Sequence, residues 1–162
     1  MAEQTFSFRV ISPLGTAFQG DARSVSLPTP DGEITILANH MPLVALLTDG
    51  ELRIDTGEKV VSIAVAGGFL ETGGLVGAPG QPEAGSGPAH RWEATVLSDF
   101  ATESDSIEVA RVEAAKARAE QLLQEKMERR DLQMVERDLQ RAILQLKVAE
   151  KARSRRRGST AQ

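Results

Sequence analysis

Phe6, Phe8 and Val10 alternate with Ser7 and Arg9, the period-2 pattern of a strand with one face turned inward. Ser12, Pro13, Leu14 and Gly15 then turn the chain as an antiparallel hairpin would. Val25 and Leu27 alternate in the same way and lead into the stretch around which the rest is organised, Ser26 to Leu52. Here Pro28, Thr29, Pro30, Asp31 and Gly32 form a tight exposed loop, since proline presets φ and glycine tolerates positive φ. Ile34 and Ile36 alternate with Glu33 and Thr35 as a strand, and Asn39, His40, Met41 and Pro42 interrupt it in a polar corner. The apolar run Leu43 to Leu47 follows, closed by the turn Thr48, Asp49 and Gly50. Leu52 and Ile54, Val60 to Ala66, and Trp92, Ala94 and Val96 continue the series. Gly67 and Gly68 predict a bulge or a close backbone approach, after which Phe69 is expected to return to the core. About eight to ten short strands separated by turns predict an antiparallel β-sandwich or barrel.

Gly73 to Pro88 is rich in glycine and proline and has no periodicity, so a flexible insertion is expected over 73–91. Its glycines do not make a phosphate cradle, because no Lys-Ser or Lys-Thr follows and no helix opens after them. From Asp105 the period lengthens. Asp105 and Glu108 have the spacing of a capping box. Ile107, Ala110, Ala114 and Ala117 form one predicted stripe, and Leu132, Val135, Leu139, Ala142, Leu146 and Ala149 form another. These are the two seams of a helical hairpin. Gln124 to Arg130 contains neither glycine nor proline, so one continuous helix of about 70 Å is also open to the chain at 1.5 Å per residue. The expected organisation is therefore a sandwich over 1–100, a two-helix hairpin over 101–153 and a basic disordered tail over 154–162.

Composition narrows the function classes. With no cysteine the chain has neither a disulfide framework nor a thiolate metal site. No apolar run reaches the roughly 20 residues of a membrane span. Acidic side chains dominate residues 1–100 and basic ones are in excess over 101–162, which predicts different partners for the two parts.

No catalytic constellation is visible. His40 lacks an orienting carboxylate and a nucleophile nearby in sequence, so it is expected to fix the corner by hydrogen bonding. His40 and His90 are isolated and make no metal site. Asp31 and Glu33 lie on an exposed turn, without the burial that acid catalysis uses. Arg111, Arg118, Arg129, Arg130, Arg137 and Arg141 suit either a solvated helix face or a surface for carboxylates and phosphates. The terminal arginines Arg155, Arg156 and Arg157 come with no aromatic platform, so nucleic acid is not expected as a partner.

Four stretches together resemble the epsilon subunit family of F-type ATP synthases: GEITILANHMPLVALLTDG from Gly32, AVAGGFLE from Ala64, TVLSDFATESDSIEVARVEAAKARA from Thr95, and LQRAILQLKVAEK from Leu139. The resemblance implies an N-terminal β-sandwich with a C-terminal helical hairpin, in a non-catalytic subunit of the central rotor. It implies gamma and the c-ring subunits as partners, with alpha and beta reached when the helices extend and restrain ATP hydrolysis. It further implies a peripheral place on the cytoplasmic face of a bacterial plasma membrane, held there only through the complex. A free-standing sandwich adaptor with a coiled-coil arm is the alternative reading.

Residue by residue, Pro28, Thr29, Pro30, Asp31, Gly32 and Glu33 match the family's c-ring-facing loop, with Glu33 at its acidic contact position. His40, Pro42 and Leu43 match a rotor-interface corner, although Ala38 and Asn39 stand where Pro-Gly is usual and Thr35 where a glycine is usual. No cofactor is implied, but ATP is a regulatory ligand of some members. Ile107, Glu108, Arg111, Arg118 and Arg141 match the positions that sense it, with Glu108 in place of an aspartate, Val112 in place of an alanine and Gln145 in place of an arginine.

Overall fold

The structure, a computed structural model, describes residues 4–74, 92–124 and 129–159. The expected insertion over 73–91, with His90, lies outside the described residues except for Gly73 and Gly74. The chain divides into two units, Met1–Ala101 and Thr102–Gln162.

The first unit holds ten strands: β1 (Phe6–Ser12), β2 (Gly15–Ala22), β3 (Ser24–Thr29), β4 (Gly32–Leu37), β5 (Leu43–Leu47), β6 (Gly50–Asp55), β7 (Val60–Ala66), β8 (Gly68–Gly74), β9 (Trp92–Leu97) and β10 (Phe100–Glu103). They form two five-stranded sheets, ordered β2-β1-β9-β8-β5 and β10-β7-β6-β3-β4. The sandwich is not wholly antiparallel, because β1 and β9 run parallel. A parallel pair needs a long crossover, and here the chain from β2 to β8, passing back and forth between the two sheets, supplies it.

The alternation read from the sequence sets the core. Phe6, Phe8, Val10, Val25, Leu27, Ile36, Leu52, Ile54, Ile63, Val65, Leu70 and Val96 are fully buried between the sheets. Burial of each such side chain contributes about 2 kcal/mol. Phe6 meets Phe8 and Trp92 edge to face, with ring centroids 6.3 and 5.7 Å apart. Gly67 and Gly68 have φ of 58° and 118°, and a Cβ on Gly68 would run into the Leu97 carbonyl oxygen. The paired glycines thus answer both to a left-handed turn and to close backbone approach.

Phe69 does not return to the core. It stands 56% exposed, while Leu70, fully buried, fills the position expected for it. The tight turn at Gly67 and Gly68 sets the parity of β8, and a one-residue difference in parity exchanges the two faces.

In the second unit a short 3₁₀ turn, Ser104–Ser106, precedes α1 (Val109–Gln124) and α2 (Arg129–Ser159). The Asp105–Glu108 capping box does not start the helix. Ile107 is extended, with φ −78° and ψ 106°, and the amides of Arg111 and Val112 in the first turn of α1 bond to the Glu108 carbonyl at 2.9 and 3.1 Å. This break also shifts the seam of α1. Ala114 and Ala117 are exposed, whereas Ala119 is buried and Val109, Val112 and Leu122 are half-buried. On α2 the expected seam is present: Leu132, Val135, Leu139 and Leu146 are half-buried, and Ala142 and Ala149 are buried, with Val148 and Ala152 beside them.

The two helices pack together along this seam as a hairpin, and the residues that join them, 125–128, lie outside the described ones. The helix also runs on to Ser159, through most of the segment expected to be a disordered tail. Arginine is a good helix former, and positive charge at a helix C-terminus is favoured by the macrodipole. Arg155 Nε donates to the Lys151 carbonyl at 3.4 Å within that stretch. Among the described residues no helix is long and apolar enough to cross a membrane.

Candidate functional site

Two surfaces of the first unit carry residues singled out by the sequence, and the structure adds a third. The first is the β3–β4 hairpin. Thr29 pairs with Gly32 across the turn, and its Oγ1 donates to the Gly32 carbonyl at 2.6 Å. Gly32 has a φ of 124°, which favours glycine there. Pro30 and Asp31 at the tip are exposed. The hairpin is braced from behind: the Thr48 amide donates to the Pro28 carbonyl at 3.1 Å, and a Cβ on Gly50 would lie 2.8 Å from the Pro28 ring. Gly50 therefore lets the β5–β6 turn close against the hairpin. Glu33 accepts an ion-paired hydrogen bond from Arg53 of β6, and Ser26 and Thr35 join hydroxyls at 2.9 Å beside it.

The second surface is the corner between β4 and β5, at the opposite end of β4 from the hairpin tip. Asn39 takes the left-handed conformation, φ 61°, and its Nδ2 donates to Gln4 Oε1 at 2.8 Å. Asparagine tolerates that conformation better than other residues with a Cβ. The His40 imidazole does not fix the corner. His40 is exposed, and it is its backbone amide that bonds to the Leu37 carbonyl, at 3.3 Å. The corner is tied instead by Thr72, 3% exposed on β8: its Oγ1 donates to the Met41 carbonyl at 3.2 Å and accepts from the Leu43 amide at 3.0 Å. Thr72 escaped the sequence reading, although it shares the inward parity of Leu70. Pro42 is exposed and Leu43 half-buried.

The third surface had no counterpart in the sequence reading. On the outer face of the first sheet, Leu46, Phe69 and Leu97 stand opposite one another on β5, β8 and β9, and Leu97 is opposite Ile11 of β1. Val44, Leu46, Phe69 and Leu97 are 71%, 52%, 56% and 54% exposed. Glu71 and an Arg9–Glu93 ion pair, 2.6 Å, lie on the same face toward the far end of the sheet. An exposed apolar patch rimmed by polar groups marks an interaction site. Beside it a groove of about 440 Å³ is lined by Ile11, Pro13, Gly68, Phe69, Leu97 and Asp99. Its floor is fixed by Ser98, whose Oγ lies 2.9 Å from the Gly67 carbonyl and 2.7 Å from that of Phe100. Exposed Leu46 and Phe69 could not be told from core residues by hydropathy alone, because Leu46 lies in the unbroken apolar run Leu43 to Leu47 and Phe69 is followed directly by Leu70.

In the helical unit Ile107 is buried just ahead of α1, and Glu108 begins the helix with its carbonyl. Arg111 and Arg118 are exposed two turns apart on one face of α1. Arg141 and Gln145 are half-buried one turn apart on α2.

Two family models match the chain. Residues 5–74 match the beta-sandwich domain of the ATP synthase Delta/Epsilon chain, and residues 105–150 match its long alpha-helix domain. The ATP synthase epsilon chain of Halalkalibacterium halodurans is 37% identical over 146 residues, covering 90% of this chain and 97% of that one. The epsilon chain of Desulforamulus reducens is 36% identical over 141 residues, covering 87% and 94%. Among solved structures, a chain of the Euglena gracilis mitochondrial ATP synthase, in an assembly of OSCP, F1 and c-ring, shares the fold with a TM-score of 0.54 at 16% identity. That likeness covers 93% of this chain and 80% of the other.

Proposed function

The chain belongs to the ATP synthase Delta/Epsilon family as an epsilon chain, and from that premise we propose that it is a non-catalytic subunit of the central rotor, coupling gamma to the c ring. The observation that carries the reading is the cross-strand apolar row Leu46, Phe69 and Leu97, a sheet face that a free-standing domain would cover with polar side chains. Gamma is its occupant. The braced hairpin Pro28 to Glu33 is the part that meets the c ring. The complex so formed sits peripherally on the cytoplasmic face of a bacterial plasma membrane.

The helical unit acts as a restraint on ATP hydrolysis, opening from the hairpin toward alpha and beta. Its seam is built largely from alanine and valine, so opening it exposes modest apolar area. ATP is the ligand expected to favour the closed hairpin, with Arg111 and Arg118 on α1 and Arg141 on α2 as its cationic contacts.

The test is ATP hydrolysis by a reconstituted F1 complex with no added chain, with the full chain, and with the chain truncated after Ser104, each arm checked for gamma binding. Inhibition by the full chain alone supports the restraint. Equal rates with confirmed binding leave a coupling subunit and remove the regulatory half. Absence of gamma binding favours the free-standing adaptor.

A further inference from the structure

Arg53 and Glu33 meet across an intervening strand. Glu33 stands opposite Pro28 of β3, and Arg53 stands opposite Ser26 of the same strand on its other edge. The guanidinium therefore passes over β3 to bring Nη2 to Glu33 Oε1. The passage is open because Ser26 is short and its hydroxyl is turned to Thr35. The two side chains are 29% and 49% exposed. An ion pair this accessible adds little to stability, so its effect lies elsewhere. It removes rotamer freedom from a glutamate that follows the left-handed Gly32 at the end of a hairpin.

We infer that Arg53 is the positioning residue for Glu33: it holds the carboxylate on the outer face of the second sheet, engaged through Oε1, so that Oε2 receives a donor from the ring. This rests on the rotor reading above. The other side chains exposed at this end of the sandwich include Asp31, Asp49 and Asp99, so the donor that fits is cationic. Arginine suits the positioning task because its charge is permanent and its planar donors are fixed relative to one another, which a lysine ammonium does not match.

The experiment is association of F1, reconstituted with the full chain, with F1-stripped membranes carrying the c ring. The variants are Arg53→Gln, Arg53→Met, Arg53→Lys, Glu33→Gln and the double variant Arg53→Gln with Glu33→Gln. Loss of Arg53 is expected to weaken ring association about 3- to 10-fold, with Arg53→Met, which keeps the apolar stem, weakened as much as Arg53→Gln. Arg53→Lys restores part of the loss, and the double variant binds no worse than Glu33→Gln alone. Wild-type association by either Arg53→Gln or Arg53→Met overturns the inference and leaves the rotor reading intact, as do losses that simply add in the double variant. A wild-type chain that binds neither gamma nor the ring overturns the rotor reading itself, a result the variants do not produce.

Discussion

Phe69 of β8 and Leu97 of β9 are register partners on the outer face of the first sheet, 56% and 54% exposed. Two large apolar side chains side by side in water are unfavourable for an isolated domain and favourable for one that is covered. Replacing Phe69 by glutamate should therefore abolish gamma association at micromolar concentration, a loss of about 2 kcal/mol or more at a central interface position. The unfolding midpoint in urea should shift little, because the side chain is already outside. Pull-down with gamma and urea titration read the two effects separately, and unimpaired binding would remove gamma from this face.

Thr72 ties the corner through both a donated and an accepted hydrogen bond, while the His40 imidazole is exposed. Thr72→Val should cost about 1–3 kcal/mol, since it leaves the Leu43 amide and Met41 carbonyl without their partner. His40→Ala should fall within about 0.5 kcal/mol of the parent. Equilibrium urea unfolding of both variants gives the comparison, and a larger loss at His40 would reverse the assignment.

Gly68 and Asn39 both have positive φ but differ in what surrounds them. Gly68→Ala places a Cβ against the Leu97 carbonyl, so it should destabilise by more than about 1 kcal/mol, combining left-handed strain with a backbone clash. Asn39→Gly relieves the strain and loses the bond to Gln4, so the two effects should nearly cancel. Thermal unfolding in parallel distinguishes them.

Gln145 lies one turn beyond Arg141 on α2, both half-buried. Substitution of Gln145 by arginine should tighten ATP binding about tenfold by adding a charge-assisted contact to phosphate. Calorimetric titration of the full chain with ATP measures it. An unchanged affinity would take ATP away from this part of the helical unit.

The sandwich was legible in the sequence because alternation in β1, β3, β4 and β6 fixes which side chains face inward, and those residues are buried apart from Ile34, which packs half-buried against the core. Phe69 was not, since the glycine pair before it sets the parity of β8 and hydropathy alone does not fix where a new strand begins. The alanine seam of α1 failed for a similar reason. A 3₁₀ turn and an extended Ile107 break the phase that a helix starting at Asp105 would have. The hairpin Pro28 to Glu33 was readable from its turn chemistry, but Arg53 was invisible as its partner, because a contact that spans a third strand has no local signature. The arginine-rich end read as a tail because charge density suggested disorder, yet the same residues extend α2.

The bracing of Pro28 by the β5–β6 turn bears on how load would travel through the first unit. The Thr48 amide and the close approach at Gly50 join the hairpin to a turn that belongs to both sheets, since β5 lies in one and β6 in the other. A sideways push on the hairpin tip is thus shared between the layers rather than taken by β4, an edge strand, alone. The first unit thus resists such a push through both layers together, and the small residue that lets the turn close, Gly50, is where enlarging a side chain would introduce slack.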